Sequence, residues 1–429
     1  MKAKFEGTDF FNEVQGSLLV KPAYEKACKT PHIRYSNGFF VEHIYMGLLR
    51  FLLAITVVIA HGIPAPIINN ILHPSTSVEI FFIISGFYMQ MVLVEKYGKK
   101  QLGRHFYLNF WTSRYLRLYP AYALSIFATL IYLVYFQQPS PNLSAYDRSL
   151  AIENNIESLF SLNNSIENIL LKAQVIFSNL FIFTSDFGLN LAILDGNANI
   201  VFDRYNTELY LLDMLLNTPS WSLGVELTFY LLAPFLLTIR NKFLYCILLL
   251  TFFIKITSVI FGDSSDLYYR GFPFVIFDFL LGAVVYRLRE HLTFLKLNEK
   301  LSTLFVYLFS IVTLFLVPTI NLEHSLPIII LFGILIPTMF NATKNNLYDR
   351  FIGELSYPIY IFHFFFYMVI IDYWMSFNYI AILFHTNMSN LINGISLLFV
   401  ILFSIVYVII EKKYVEPLRY KLSFVSSSK

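Results

Sequence analysis

The sequence predicts an all-α, polytopic integral membrane protein with about ten transmembrane helices. Three observations predict it. Only 14% of the 429 residues are charged, against about 25% in a typical soluble domain. Hydrophobic residues make up 57% of the chain and aromatic residues 18%. Apolar runs of about 20 residues, long enough to cross a bilayer as helices, recur through most of the length. A transmembrane β-barrel would show shorter, alternating segments instead. The net charge of +3 gives no reason to expect nucleic acid as a partner; the composition implies a lipid bilayer. Cys28 and Cys246 have no CxxC spacing, so free thiols are expected, with no disulfide and no metal framework.

Lys/Arg bias in short loops orients the spans. Residues 1–43 are polar, lack the early apolar core of a signal peptide and carry Lys21, Lys26, Lys29 and Arg34. They are read as a cytoplasmic segment. Span one covers 44–62, followed by an outer loop with Pro64, Pro66, His73 and Pro74. Span two, 77–94, returns to an inner basic stretch holding Lys96, Lys99, Lys100, Arg104, Arg114 and Arg117. Span three, 118–136, leads outward, with Pro120 suited to its first turn. Residues 137–220 are Asn-rich and more acidic than basic. They are expected outside, with the apolar piece at 168–184 as an interfacial or re-entrant helix. Further spans fall near 221–239, 243–261, 273–286, 302–319, 325–341, 354–374 and 391–410. Their inner loops carry Arg287, Arg289, Lys296, Lys300, Lys344 and Arg350. The result is a membrane domain at 44–411, a cytoplasmic tail at 412–429 and both termini inside. No repeat of 20–50 residues and no nucleotide-binding P-loop are present, so an ATP-driven pump is not expected.

Five polar constellations interrupt this apolar background. Arg50 and His61 share span one. At ~100° per residue their separation is about three turns plus ~20°, so they occupy one helix face roughly 16 Å apart along the axis. An ionisable group inside a span marks a functional site by default. The same pair also suits an Arg that snorkels to the interface and a His that closes the helix before Gly62. Glu79 enters span two near the exit of span one, where a carboxylate could orient His61 or merely complement the helix dipole. Arg114 and Arg117 lie three apart and would share a helical face. Paired guanidinium groups suit phosphate, and positive-inside anchoring explains them equally well. Trp221 suits an interfacial belt, with Ser222 beside it. Glu226 has no charge partner in its own span and should face the bundle interior. His363 falls near mid-membrane in Leu355-Ser-Tyr357-Pro-Ile-Tyr360-Ile-Phe-His363, where it is either functional or structurally hydrogen-bonded. Arg270 and Asp278 are weaker signals.

In this order the five segments resemble the membrane-bound acyltransferase-3 family, whose members O-acylate cell-surface polysaccharides and lipids. Arg50 and His61 are similar to its Arg/Lys-x10-His pair. Val78-Glu79-Ile-Phe-Phe-Ile-Ile-Ser-Gly-Phe87 resembles Val-Asp/Glu-x-Phe-Phe-x-x-Ser-Gly-Phe. Arg114 to Pro120 resembles Arg-x-x-Arg-x-x-Pro, and Trp221 to Tyr230 resembles Trp-Ser-Leu-x-x-Glu-x-x-Phe-Tyr. Leu355 to His363 resembles Leu-Ser-Tyr-x-x-Tyr-x-x-His. The motifs span nearly the whole membrane region. The family often carries a fused periplasmic hydrolase-like domain; none follows here, so the resemblance implies chemistry within the membrane domain.

The resemblance implies an enzyme of the O-acetyltransferase type in the bacterial cytoplasmic (inner) membrane. Acyl-CoA, acetyl-CoA by default, would be a co-substrate with no permanently bound cofactor. The acceptor would be a hydroxyl of a surface polysaccharide or lipid-linked saccharide. His61 would act as general base or transient acyl carrier, with Glu79 orienting it. Arg50, Arg114 and Arg117 would hold the phosphates of CoA. Trp221, Ser222 and Glu226 would shape the acceptor side, supported by Tyr230, Tyr357 and His363. The rival class is a secondary transporter or a flippase for a polysaccharide precursor. Carriers often show two related halves and Gly/Pro-interrupted spans, and no internal similarity is evident here.

Overall fold

Twelve α-helices dominate the described residues of a computed structural model. Those residues are 35–36, 39–40, 46–62, 73–97, 106–135, 148–186, 191–200, 209–261, 270–292, 299–316, 322–375 and 388–419. The chain forms two compact units, Met1–His43 and Ile44–Lys429. In the first, β1 (Tyr35–Ser36) pairs antiparallel with β2 (Phe39–Phe40). In the second, α1 (Gly47–Ala60), α2 (Pro74–Val92) and α3 (Phe106–Tyr135) come first. They are followed by α4 (Arg148–Ser161), α5 (Ile166–Phe181) and a small sheet of β3 (Leu191–Leu194), β4 (Asn197–Ile200) and β5 (Leu209–Tyr210). The remaining helices are α6 (Trp221–Leu236), α7 (Asn241–Phe261), α8 (Phe272–Arg287), α9 (Glu299–Leu316), α10 (Leu322–Thr343), α11 (Leu347–Met375) and α12 (Met388–Ile410).

The chain is a helical membrane protein. Long apolar helices form because a segment in hydrocarbon must satisfy its own backbone hydrogen bonds. Among the described residues, four stretches are long and apolar enough to cross a bilayer: Pro74–Glu95, Phe106–Tyr135, Leu326–Thr343 and Asn390–Arg419. Outward-facing apolar side chains such as Phe253 on α7, Leu308 on α9 and Phe399 on α12 are what a lipid surface requires. Ten crossings are not confirmed among the described residues. Helix α1 has 14 residues and α6 has 16. At 1.5 Å per residue these measure ~21 and ~24 Å, short of a ~30 Å hydrocarbon core.

Helix α3 departs from the expectation of a span opening at about residue 118, with Pro120 in its first turn. It starts a dozen residues earlier and carries Arg114, Arg117 and Pro120 in its interior. Nothing between Phe106 and Pro120 breaks a helix, and neighbouring helices can compensate the hydrogen bond that a proline removes. The segment at 137–220 is more elaborate than one interfacial helix. Helices α4 and α5 pack with the sheet around a small core of Leu159, Leu171, Val175, Ile193 and Met214. The far face of α5 exposes Leu170, Phe177 and Phe181, an amphipathic pattern suited to a membrane interface.

Two close packings set the site. Gly86 on α2 lies against the Phe279 carbonyl, and Gly282 on α8 lies against the Ile83 carbonyl. An added Cβ would sit 1.9 Å from either oxygen, so only glycine permits this reciprocal contact. Helix α1 runs beside α11 in the same direction. Its first turn abuts Asp349 and Gly353, and its end reaches His363. Asp349 caps α1 from the neighbouring helix, accepting from Gly47 N–H at 2.6 Å and Leu48 N–H at 3.0 Å. Those are orphan donors of a helix start, and a carboxylate there also complements the dipole.

Candidate active site

The α1–α11 alignment pairs two histidines. The rings of His61 and His363 lie 5.0 Å apart, tilted by 57°. His61 Nδ1 donates to the Val57 carbonyl at 2.8 Å, and His363 Nδ1 donates to the Tyr360 carbonyl at 2.6 Å. A carbonyl can only accept, so each Nδ1 carries its proton, and in the neutral form of either ring the lone pair falls on Nε2. That tautomer suits a general base. His363 is fully buried and His61 half-buried, which makes His61 the ring a substrate can reach.

On the other side of His363 stands Tyr360, with ring centroids 5.9 Å apart. Its hydroxyl hydrogen-bonds Ser222 at 2.7 Å and donates to the Pro219 carbonyl at 3.2 Å. Tyr360 and Ser222 form one wall of a cavity of about 90 Å³, room for several waters. Arg50, Arg117, Glu226, Tyr230 and Tyr357 also line it. Tyr357 is anchored by its hydroxyl, which donates to the Leu118 carbonyl at 2.5 Å. Arg50 reaches toward the Tyr88 ring at 6.0 Å. Glu226 Oε1 accepts from Ser85 at 2.7 Å and from the Tyr230 hydroxyl, one turn further along α6. The expected interior orientation of Glu226 is what the structure displays.

Three sequence-based placements come out differently. Glu79 does not meet His61. Its Oε1 accepts from Lys255 Nζ at 2.5 Å, and the same nitrogen lies 3.1 Å from Asp278 Oδ2. Opposite charge inside an apolar bundle outcompetes a neutral imidazole for a carboxylate. The two arginines of α3 do not form one fork. Arg117 lines the cavity with Arg50, whereas Arg114 is buried and lines a second hollow beside Trp111 and Phe183, with Tyr230 bordering both. Residues three apart diverge by about 60° around a helix, enough to enter neighbouring spaces. His61 itself lies outside the cavity, beyond Tyr360 and His363. Trp221 is buried as well, with the Arg270 guanidinium 5.2 Å above its ring.

An intrabundle cavity with cations on one side and paired imidazoles beyond one wall defines a membrane-embedded protein with a candidate catalytic centre. Residues 43–410 match the acyltransferase-3 family model, described as an acyltransferase domain, and the chain belongs to that family. A stretch of 214 residues, 48% of this chain, is 28% identical to an uncharacterized protein of Aquifex aeolicus strain VF5, covering 90% of that protein. No solved structure matches the chain.

Proposed function

We propose that the protein transfers an acyl group, acetyl by preference, from cytoplasmic acyl-CoA to a hydroxyl of a cell-surface polysaccharide or lipid-linked saccharide. The reading places it in the bacterial cytoplasmic membrane with both termini inside. The observation that carries it is the linear arrangement of groups. Arg50 and Arg117 share one cavity with Glu226, and His61 stands about 16 Å further along the helix that carries Arg50. Membership of an acyltransferase family supplies the reaction class.

In this reading Arg50 and Arg117 bind phosphate oxygens of CoA, which suits guanidinium chemistry. The pantetheine arm follows α1 from the cavity toward His61, with the Tyr360 ring that now separates the two spaces turned aside. His61 Nε2 removes the proton of the acceptor hydroxyl as its oxygen attacks the thioester carbonyl. The C–S bond breaks, and CoA leaves as thiolate and takes the proton from His61 Nε2 to give the thiol, which returns the imidazole to its neutral form. His363, held in a fixed tautomer against His61, keeps that ring oriented. Arg270 and Trp221 flank the acceptor side.

The test is purified protein in lipid vesicles with labelled acetyl-CoA. Free CoA released only when a surface saccharide is supplied, with label on the saccharide by mass spectrometry, is the expected result. Saccharide moved across the vesicle without acyl transfer would replace this reading with a carrier.

A further inference from the structure

The cluster that captures Glu79 joins three helices. Glu79 on α2, Lys255 on α7 and Asp278 on α8 have side-chain exposures of 2%, 4% and 0%. Both carboxylates touch one nitrogen, so their nearest oxygens are within about 6 Å of each other, where like charges strongly disfavour a second ionisation. Fully ionised, the three groups would leave an excess negative charge in the bundle. Two oxygens, Glu79 Oε2 and Asp278 Oδ1, are buried without a hydrogen-bond partner. A buried carboxylate oxygen left bare is costly; a protonated one is a neutral hydroxyl.

We propose that this cluster is a proton-binding site, with Asp278 as the protonated member and Glu79 as the charged partner of Lys255. The assignment follows the contacts. Lys255 is closer to Glu79 than to Asp278, as expected if one ion pair and one neutral acid share the ammonium. Bond-making is simple: a proton joins an Asp278 oxygen, and the cluster becomes neutral. Among the described residues, His73 also acts electrostatically on Glu79. His73, at the start of α2, bonds Ser75 at 2.5 Å, Glu226 on α6 bonds Ser85, and Arg50 on α1 lines the cavity.

The site also bears on the cavity. Glu79 faces α7 and α8, while Phe81 and Ser85, turned well away from it on the same helix, line the cavity. Loss of the proton adds a charge behind that wall.

Infrared absorption of the full chain in lipid vesicles tests this without any substrate. A protonated-carboxyl C=O band is expected at neutral pH. It should shift when aspartate, but not glutamate, carries ¹³C, and it should vanish in Asp278→Asn, which keeps the Lys255–Glu79 pair and folds. A wild-type band that aspartate labelling leaves in place, or the absence of any band, overturns the proposal whether or not the variant folds.

Discussion

Glu226 and Glu79 are both acids on helices of one bundle, yet their surroundings differ in kind. Glu226 is served by hydroxyls, Ser85 and Tyr230, at the edge of a cavity shared with two arginines. Glu79 is served by an ammonium, and both groups are buried. The first arrangement is adjustable, because hydroxyls can turn toward a ligand and water can enter. The second is an ion pair whose geometry must stay fixed to offset the loss of hydration. An ionisable group inside a membrane helix is therefore only half of an assignment; its partner supplies the other half.

The contrast can be broken most directly at its two extremes. His61→Ala should lower turnover by about 10²- to 10⁴-fold, the usual contribution of a general base, with folded yield unchanged. Retained turnover in steady-state assays would move the chemistry away from α1. Lys255→Met should behave in the opposite way. Removing one partner of a buried pair costs about 3–5 kcal/mol, so the variant should lose folded protein by fluorescence-detected size exclusion. The neutral triple variant Lys255→Met, Glu79→Gln, Asp278→Asn should recover most of that yield. If Lys255→Met folds normally and only turnover falls, the cluster belongs with the catalytic groups.

Much of this was legible in the sequence, and the failures have physical causes. Apolar runs report helices because hydrocarbon leaves the backbone no alternative, so α2, α10 and α12 lie close to where their residues predict. The common face of Arg50 and His61 follows from helical periodicity. The pairing of His61 with His363 does not, since it depends on the register of α1 against α11, set by Gly47 and the Asp349 cap. Lys255 carried a usable signal that averaging over an apolar run conceals: a lysine in the interior of a span needs a partner. The hairpin between β3 and β4 was also visible, in Asp195-Gly196. Both residues have positive φ, 50° and 71°, the turn that Asp-Gly favours between strands. Helix α3 was misjudged because Pro120 reads as a boundary, whereas packed neighbours let a membrane helix continue through proline.

The arginines of α3 offer a finer test of the same distinction. Arg117 faces the cavity and should act through binding. Charge-assisted hydrogen bonds contribute about 1.5–3 kcal/mol, so Arg117→Ala should raise KM for acyl-CoA by about tenfold or more with little change in kcat. Arg114 is buried beside Trp111 and away from that cavity, so Arg114→Ala should reduce thermal stability and leave KM nearly unchanged. Equal KM effects would restore a single phosphate-binding fork and require the two hollows to merge when acyl-CoA binds. The smallest effect belongs to Tyr360→Phe. Ser222 keeps its own bond to the Pro219 carbonyl at 3.1 Å, so the cavity wall stays in place and only one hydroxyl is lost. A decrease in kcat below about tenfold is expected, in line with one neutral hydrogen bond of about 1 kcal/mol. A loss approaching that of His61→Ala would instead make the Tyr360 hydroxyl a proton carrier between the cavity and the imidazoles, joining two spaces that the ring now separates.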